Sequence, residues 1–485
     1  MWNVYFKGRT VFVLLLMTMV ASVLVTLTIG DQVFWTADGK QASVSAAASE
    51  GSGLSKKEES KINAVLGLIE TKYFKDIDRD ELVDGAVRGM MESLDDPYSV
   101  YMEKDVAKQF SESIEGSFSG IGAEVTLEKG KVVVVAPIKG SPAERAGLLA
   151  KDIVLSVNGD KLDGLTLNDA VAKIRGPKGT KAKLRIERAG NTQPIDLILV
   201  RDDIDVETVY AKLREDGVGV IEIRQFSLNT ADRFKEELAK LEKQGMKGLV
   251  IDVRNDPGGV LPVVVEIAQQ FIPKGETIVQ VEDRDGDRDK TTSQGGGKTY
   301  PIAVLMNKGS ASASEILAGA LQERAKAVLV GETSYGKGTV QVSYNKTLGD
   351  GSLVKMTIAK WLTPDGNWIH QKGIKPTVEV LPPKLYTVAR LTLKETLRKD
   401  MLGEQVRNAQ VMLTGLGFAP KREDGYFSAS TEQSVKDFQS SAGLPVSGEI
   451  DTKTAAALEQ AVVKWIRDEK NDKQLLEAIQ AVSRK

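Results

Sequence analysis

The sequence predicts a multidomain α/β chain with helical segments at both ends, and three observations carry that expectation. At 485 residues it is too long for one hydrophobic core, so three or four domains are expected. Residues 302–330 hold a short apolar run, a helical spacing of Ile316, Leu317, Ala320 and Leu321, and a second apolar run, the pattern of a βαβ unit. Residues 402–462 repeat themselves: Asp424-Gly425, Phe427, Thr431 and Val435 recur as Ser447-Gly448, Ile450, Thr454 and Leu458, 23 positions on.

Composition removes several classes of function. The formal net charge of −2 gives no reason to expect nucleic acid as a partner. There is no cysteine and one histidine, His370, which excludes disulfides, thiol nucleophiles and zinc clusters built from Cys and His. No metal site and no organic cofactor are expected.

Lys7 and Arg9 precede an uncharged run over 10–30, long enough for the roughly 20 residues that span a bilayer. Positive charge on its N-terminal side predicts a membrane anchor with the body of the protein outside the cytoplasm. A cleaved signal peptide is the rival, but the run is long for one and Asp31-Gln32-Val33-Phe34-Trp35 offers no small-x-small site. We therefore expect a cytoplasmic tail and anchor over 1–35 and a flexible Ala/Ser/Gly tether over 36–55.

A helical region is expected over 56–115. Ile62, Val65, Leu66 and Ile69 form one apolar stripe and Leu82, Ala86, Val87 and Met90 another. Ordinary packing within the domain is the expected fate of both, and a second subunit would be the alternative. Pro97 breaks the pattern in Leu94-Asp95-Asp96-Pro97-Tyr98-Ser99-Val100-Tyr101.

Residues 116–203 follow as strands, a short helix opening at Ser141-Pro142, and a helix over 167–174 that would wall a groove. Gly120, Ile121 and Gly122 precede the first strand, where free backbone N–H groups could receive a chain-terminal carboxylate. The segment, with its SPAERAGL and GDKL phrases, resembles a PDZ domain. The resemblance implies that protein or peptide partners bind by their free C-termini.

The core, 204–395, contains two informative loops. Asp256-Pro257-Gly258-Gly259 ends an apolar strand, and such glycines let backbone amides approach a ligand. The second loop holds Ser310, Ser312 and Ser314 at the start of a helix; residue types alone do not choose among them. A hydroxyl needs a base, and besides His370 the candidate is Lys337 in a Gly-Lys-Gly setting. Were 338–342 a strand, Lys337, Thr339 and Gln341 would share one face. On residue types alone, capping serines and a solvated turn are the commoner meaning of such loops.

GSASASEILAGAL followed by GETSYGKGTVQ resembles the catalytic core of the carboxy-terminal processing proteases, serine peptidases with a Ser–Lys dyad. The resemblance implies Ser312 as nucleophile, Lys337 as general base and Gln341 as the residue that orients it. It implies backbone N–H groups of Gly258 and Ala313 as the oxyanion hole, and it leaves His370 a structural role. Arg175, just after the groove helix, is the candidate switch that would relay the position of the PDZ domain to the core by a charge-assisted hydrogen bond.

The C-terminal repeat, placed at 400–463, resembles a peptidoglycan-binding helical domain, with Thr431 and Thr454 expected to cap its helices and a helical tail over 464–485. A chain ending near Leu393 is expected to keep its chemistry and lose its hold on the wall. Together these readings describe a membrane-anchored serine endopeptidase at the outer face of the membrane of a Gram-positive-like cell, cleaving proteins near their C-termini. Association into homo-oligomers is open. The alternative is a non-catalytic PDZ scaffold that gathers exported proteins at the wall.

Overall fold

The computed structural model describes residues 53–191 and 193–483. The anchor and nearly all of the tether expected from the sequence lie outside these residues. Among the described residues no helix is long and apolar enough to cross a membrane. The chain forms two compact units, one up to Val83 and one from Asp84 onward.

Helix α1 (Lys56–Lys72) starts on a capping box, in which Ser55 and Glu58 satisfy each other's backbone N–H groups. Helix α2 (Arg79–Glu92) follows. Neither helix has a buried residue: Ile62, Val65 and Met90 are 45%, 52% and 58% exposed. Among the described residues neither stripe is fully buried, although Leu66, Ile69, Leu82 and Val87 are partly covered. Their apolar periodicity signalled helix and said nothing about what would cover it.

The larger unit continues with β1 (Val100–Met102), α3 (Lys104–Glu115) and β2 (Ser117–Gly120). The PDZ-like segment is β3 (Ala123–Glu128), β4 (Lys131–Pro137), α4 (Pro142–Arg145), β5 (Ile153–Val157), β6 (Asp160–Lys161), α5 (Leu167–Ile174), β7 (Lys181–Glu187) and β8 (Ile195–Val200). Its strands make one antiparallel sheet in the order β3-β4-β5-β7-β8, with β6 on β5. In β7 the strict alternation of buried Ala182, Leu184 and Ile186 with exposed charges places one face on a separate core. Strand β9 (Asp202–Asp205) returns to pair with β2, so the PDZ-like segment is entered and left through one antiparallel ribbon.

The core follows as β10 (Val209–Leu213), β11 (Val218–Ile223), α6 (Thr230–Lys243), β12 (Gly248–Asp252), α7 (Leu261–Ala268), β13 (Thr277–Asp283), β14 (Arg288–Thr292), β15 (Ile302–Met306), α8 (Ala313–Ala325), β16 (Val328–Gly331), β17 (Thr339–Tyr344), β18 (Leu353–Leu362) and β19 (Val378–Glu379). One sheet runs β10-β11-β12-β15-β16-β19, parallel from β11 onward. The second runs β1-β18-β13-β14, with β17 on β18. The parallel strands are apolar on both faces, as burial on both sides requires. Leu249 and Ile251 face the cluster that holds α6, α7 and α8, whereas Val250, Ala303, Leu305 and Val330 face the other way.

That other face is closed by the last helix of the chain. Helices α9 (Glu404–Gly415), α10 (Ala429–Ser441) and α11 (Thr452–Arg467) form the repeat module, and α12 (Lys473–Ser483) then lays Leu475, Ala478, Ile479 and Val482 on the sheet. Gln474 Nε2 donates to Val380 O at 2.7 Å, so the module leaves the core and returns to it at neighbouring points. A chain ending near Leu393, expected to keep its chemistry, would lack this layer of its sheet. The tail's short amphipathic pattern marked a helix but not its partner.

Within the module each repeat is organised by a buried glutamine. Gln410 accepts from Gly425 N and donates to Tyr426 O and Thr431 Oγ1; Gln439 does the same with Gly448 N, Glu449 O and Thr454 Oγ1. The helices are capped by Ser428 and Asp451, three residues before the expected Thr431 and Thr454. The threonines are buried instead, as partners of the glutamines.

Candidate active site

Two loops at the carboxyl ends of β12 and β15 are stitched together by polar contacts. Ser310 Oγ donates to Val253 O at 2.7 Å and accepts from Asn307 N at 3.0 Å. Asn307 and Asn255 bond side chain to side chain and side chain to backbone. Asp256 O accepts from Ala311 N at 3.0 Å and from Ser314 Oγ at 2.9 Å. Ser310 and Ser314 are thus buried and engaged in joining the loops. Ser312 lies between them, half-buried, at φ 55° and ψ −110°. A non-glycine residue at positive φ costs of order 1–3 kcal/mol and persists only where its surroundings hold it. The strand-to-helix turn that presents Ser312 is therefore a strained elbow.

Gly258 abuts that elbow. A Cβ there would stand 2.7 Å from Ala311 O and 2.9 Å from both Ala313 N and Ser312 Cβ. With φ 102° it also adopts a conformation that glycine alone takes readily. Its N–H donates to Asp256 Oδ1 at 2.8 Å. Asp256 is fully buried, its Oδ2 finds no hydrogen-bond partner, and burial pushes its carboxyl up to about 8. Nothing in the sequence distinguished Asp256 from an ordinary turn aspartate.

Glu315, three residues after Ser312, is the other residue that pattern reading missed. It is fully buried. Its Oε2 accepts from Ser312 N and from Lys337 N, both at 2.8 Å. Its Oε1 accepts from Gly336 N and Ser334 Oγ, both at 2.6 Å. One carboxylate therefore holds the backbones of Ser312 and Lys337 within two hydrogen-bond lengths of each other. Four donors converging on it satisfy the buried charge.

The chain around Lys337 is fixed on its other side as well. Lys337 O accepts from Trp361 Nε1 at 2.8 Å and Gly338 O from Trp368 Nε1 at 2.9 Å. Gly338 N donates to His370 Nδ1 at 3.3 Å, and the imidazole stacks on Trp368. His370 is thus engaged with the backbone beside Lys337. The Lys337 Nζ lies 5.1 Å above the Tyr98 ring, which brings the Asp-Pro-Tyr-Ser turn into the site. Burial pushes the Tyr98 hydroxyl up to about 12, with help from Tyr335, so no phenolate stands beside the amine. Burial also draws the Lys337 amine down to about 8, and the charge of Lys355 adds to the effect.

Strand β17 begins at Thr339 and its pairing with β18 shifts register between Val340 and Gln341. Lys337 therefore sits in the loop before the strand, outside the expected single face, whereas Thr339 and Gln341 do share one. Gln341 Nε2 donates to Thr339 Oγ1 and Thr357 Oγ1, at 2.8 and 3.0 Å.

Gly120, Ile121 and Gly122 form the link from β2 to β3. Ile121 is buried, and Gly122 at φ 75° packs where a Cβ would meet Ser141 at 2.3 Å. Arg175 makes a charge-assisted bond, but to Glu112 of α3 at 2.6 Å, with its guanidinium 4.6 Å above the Phe118 ring. It does not touch the core directly. Helix α3 does, since Ser113 O accepts from Ser227 Oγ at 2.8 Å and Gln225 Nε2 at 3.1 Å.

Comparison with known proteins agrees with this architecture. Residues 217–380 match Peptidase family S41, 133–188 a PDZ domain, 403–458 a putative peptidoglycan binding domain, and 23–106 the activating protease CtpB N-terminal domain. The chain is 48% identical over 426 residues to the carboxy-terminal processing protease CtpB of Bacillus subtilis, covering 87% of this chain and 88% of that protein. It is 43% identical over 425 residues to CtpA of the same organism, covering 87% and 90%. A probable CtpA-like serine protease of Staphylococcus aureus is 38% identical over 409 residues, covering 83% and 82%. The chain belongs to peptidase family S41, among the carboxy-terminal processing serine proteases that carry a PDZ domain.

Proposed function

We propose that the protein hydrolyses peptide bonds near the free C-termini of extracytoplasmic proteins, using Ser312 as nucleophile and Lys337 as general base. The observation that carries this is the shared carboxylate oxygen of Glu315, which accepts from both Ser312 N and Lys337 N at 2.8 Å. It brings a strained, accessible serine and a lysine drawn toward neutrality to one place. The neutral amine takes the proton of Ser312 Oγ as that oxygen attacks the scissile carbonyl. The ammonium then returns the proton to the leaving amine, and water, deprotonated by the same amine, releases the acyl group. Backbone N–H groups of Ala313 and the Gly258-Gly259 loop stabilise the oxyanion, and each such donor contributes about 3–4 kcal/mol. For Gly258 this requires its N–H to leave Asp256. Gln341, through Thr339 and Thr357, keeps β17 and β18 in place beside the amine.

The PDZ domain receives the substrate's terminal carboxylate at Gly120, Ile121 and Gly122, and the module binds peptidoglycan. The uncharged run after Lys7 and Arg9 supports a single membrane anchor with the catalytic body outside. The test is turnover of an unstructured protein by the wild type, Ser312→Ala and Lys337→Ala. Full activity in either variant sinks the dyad; a wild type without turnover would return the molecule to a scaffold role.

A further inference from the structure

The loop that carries Gly258 and Gly259 grows out of Arg254, and Arg254 is held from the far end of the chain. Its Nη1 donates to Asp472 Oδ1 at 3.0 Å and to Gln474 Oε1 at 3.0 Å, and its Nη2 donates to Asp472 Oδ2 at 2.8 Å. On the other side Nε and Nη2 reach the Asp252 carboxylate at 3.0 and 2.6 Å. The same Asp252 Oδ1 accepts the backbone N–H of Arg254 at 3.0 Å. The ion pairs are largely withdrawn from solvent, with side-chain exposures of 16% for Arg254 and 14% for each aspartate. Burial works against the guanidinium charge, but Asp252 and Asp472 outweigh it. Such a buried bidentate pair fixes geometry, and losing one partner leaves the other charge uncompensated.

Asp472 is itself fixed. It accepts from Leu475 N at 3.0 Å at the start of α12, whose apolar face closes the sheet beneath β12 and β15. A continuous path thus runs from α12 through Asp472, the Arg254 side chain and Asp252 to the main chain at Arg254. That main chain stands two residues before Asp256, whose carbonyl is bonded to the Ser312 elbow.

We infer that the segment following the peptidoglycan-binding module is part of the catalytic domain, with Asp472 a positioning residue that sets the oxyanion loop through Arg254. The inference rests on the Ser312–Lys337 reading. Asp472 touches no reacting atom, so its loss should leave substrate binding alone and degrade the placement of the loop's N–H donors. Misplacement of a catalytic group by about 1 Å costs on the order of a hundredfold in rate.

The test uses the full chain and an internally quenched peptide with a free C-terminus. Asp472→Ala should lower kcat by about ten- to a hundredfold while KM stays within about twofold. The control is Ile479→Ala, which weakens the seat of α12 without touching Arg254. At a matched loss of thermal stability it should keep its kcat. Asp472→Glu, which keeps the charge, should recover part of the loss. If Asp472→Ala does not fold, Asp472→Asn decides, since it keeps an acceptor and loses the charge; it too should lower kcat with KM unchanged. Equal effects of Asp472→Ala and Ile479→Ala, or unaltered kcat in whichever Asp472 variant folds, overturn the inference. Activity surviving Ser312→Ala overturns the dyad instead, so the two failures are told apart.

Discussion

The ionisation of Lys337 gives the sharpest quantitative expectation. Burial and the neighbouring Lys355 lower the amine from its ordinary 10.5 to about 8. At pH 7 roughly a tenth of such amines are neutral, against about three in ten thousand for an unperturbed lysine. Burial therefore raises the working fraction about 300-fold, equivalent to roughly 3 kcal/mol. With a peptide substrate, kcat/KM should rise about tenfold per pH unit below pH 8 and level off above about pH 9. Lys337→Arg should lose on the order of 10²–10⁴-fold, because a guanidinium keeps its proton throughout this range. The same shift has a stability signature of opposite sense. Because the folded-state value lies below the unfolded one, the unfolded chain binds the extra proton between about pH 10.5 and 8. Stability therefore falls as pH drops through that window and is constant below it, a deficit of about 3 kcal/mol at pH 7. Lys337→Met should remove the deficit, giving an inactive protein with a higher Tm at pH 7 and little change at pH 11. A flat rate profile from pH 6 to 9, or an inflection near the value of an ordinary lysine, would refute the reasoning.

Four further outcomes follow from other parts of the molecule. Lys355→Gln removes the positive charge that helps depress Lys337, so the acid limb of the rate profile should move to higher pH and activity at pH 7 should fall; an unmoved limb counts against the electrostatic coupling. Asp256 has its folded-state value raised to about 8, so wild-type stability should fall as pH rises from about 4 to 8, and Asp256→Asn should gain Tm over wild type progressively across that window, read by calorimetry at several pH values. Truncation after Arg467 removes Leu475, Ile479 and Val482 from the sheet, about 5–9 kcal/mol of burial and comparable to a whole domain's stability, so that chain should be insoluble. Deleting 383–467 with a short Gly/Ser bridge should instead leave a soluble, active protease that no longer pellets with purified cell wall.

The parts of the fold that were readable from sequence are those whose signal is local. Ile302–Met306 had to be a buried strand because five apolar residues ended at a turn, and α8 had to start among the serines. The PDZ-like segment was readable from its resemblance, carried by the SPAERAGL and GDKL phrases. What the sequence hid is long-range. Nothing near Arg254 announces Asp472 more than two hundred residues away, and nothing in α12 announces a sheet face. Glu315 read as one helical acid among many, because three of its four donors come from a loop about twenty residues further on. The bulge opposite Gln341 belongs to β18, which passes over Ile358, and leaves the alternation of Thr339 and Gln341 on β17 intact.

The site concentrates features that each cost stability. Ser312 is held at a strained φ, a lysine is buried with a second lysine nearby, and a carboxyl is buried with one oxygen unpartnered. Each is tolerable only because a rigid frame surrounds it. Glu315 joins the elbow to the Lys337 loop, the Asn255–Asn307 pair joins the two loops, and Trp361, Trp368 and His370 fix the Lys337–Gly338 backbone. The frame also bears on the proposed dyad, which has no third acid in line. A carboxylate placed on the Lys337 amine would hold it charged, and the buried carboxylate of Glu315 is turned to backbone N–H groups and a hydroxyl. Its four hydrogen bonds position the amine's backbone while leaving Nζ over the neutral ring of Tyr98. Replacing Glu315 with Gln would leave at least one of these buried donors facing an NH₂ group, at a cost of about 1–3 kcal/mol. It would also loosen Ser312 and Lys337 together, so rate and stability should fall in the same variant, unlike Lys337→Met, in which they part.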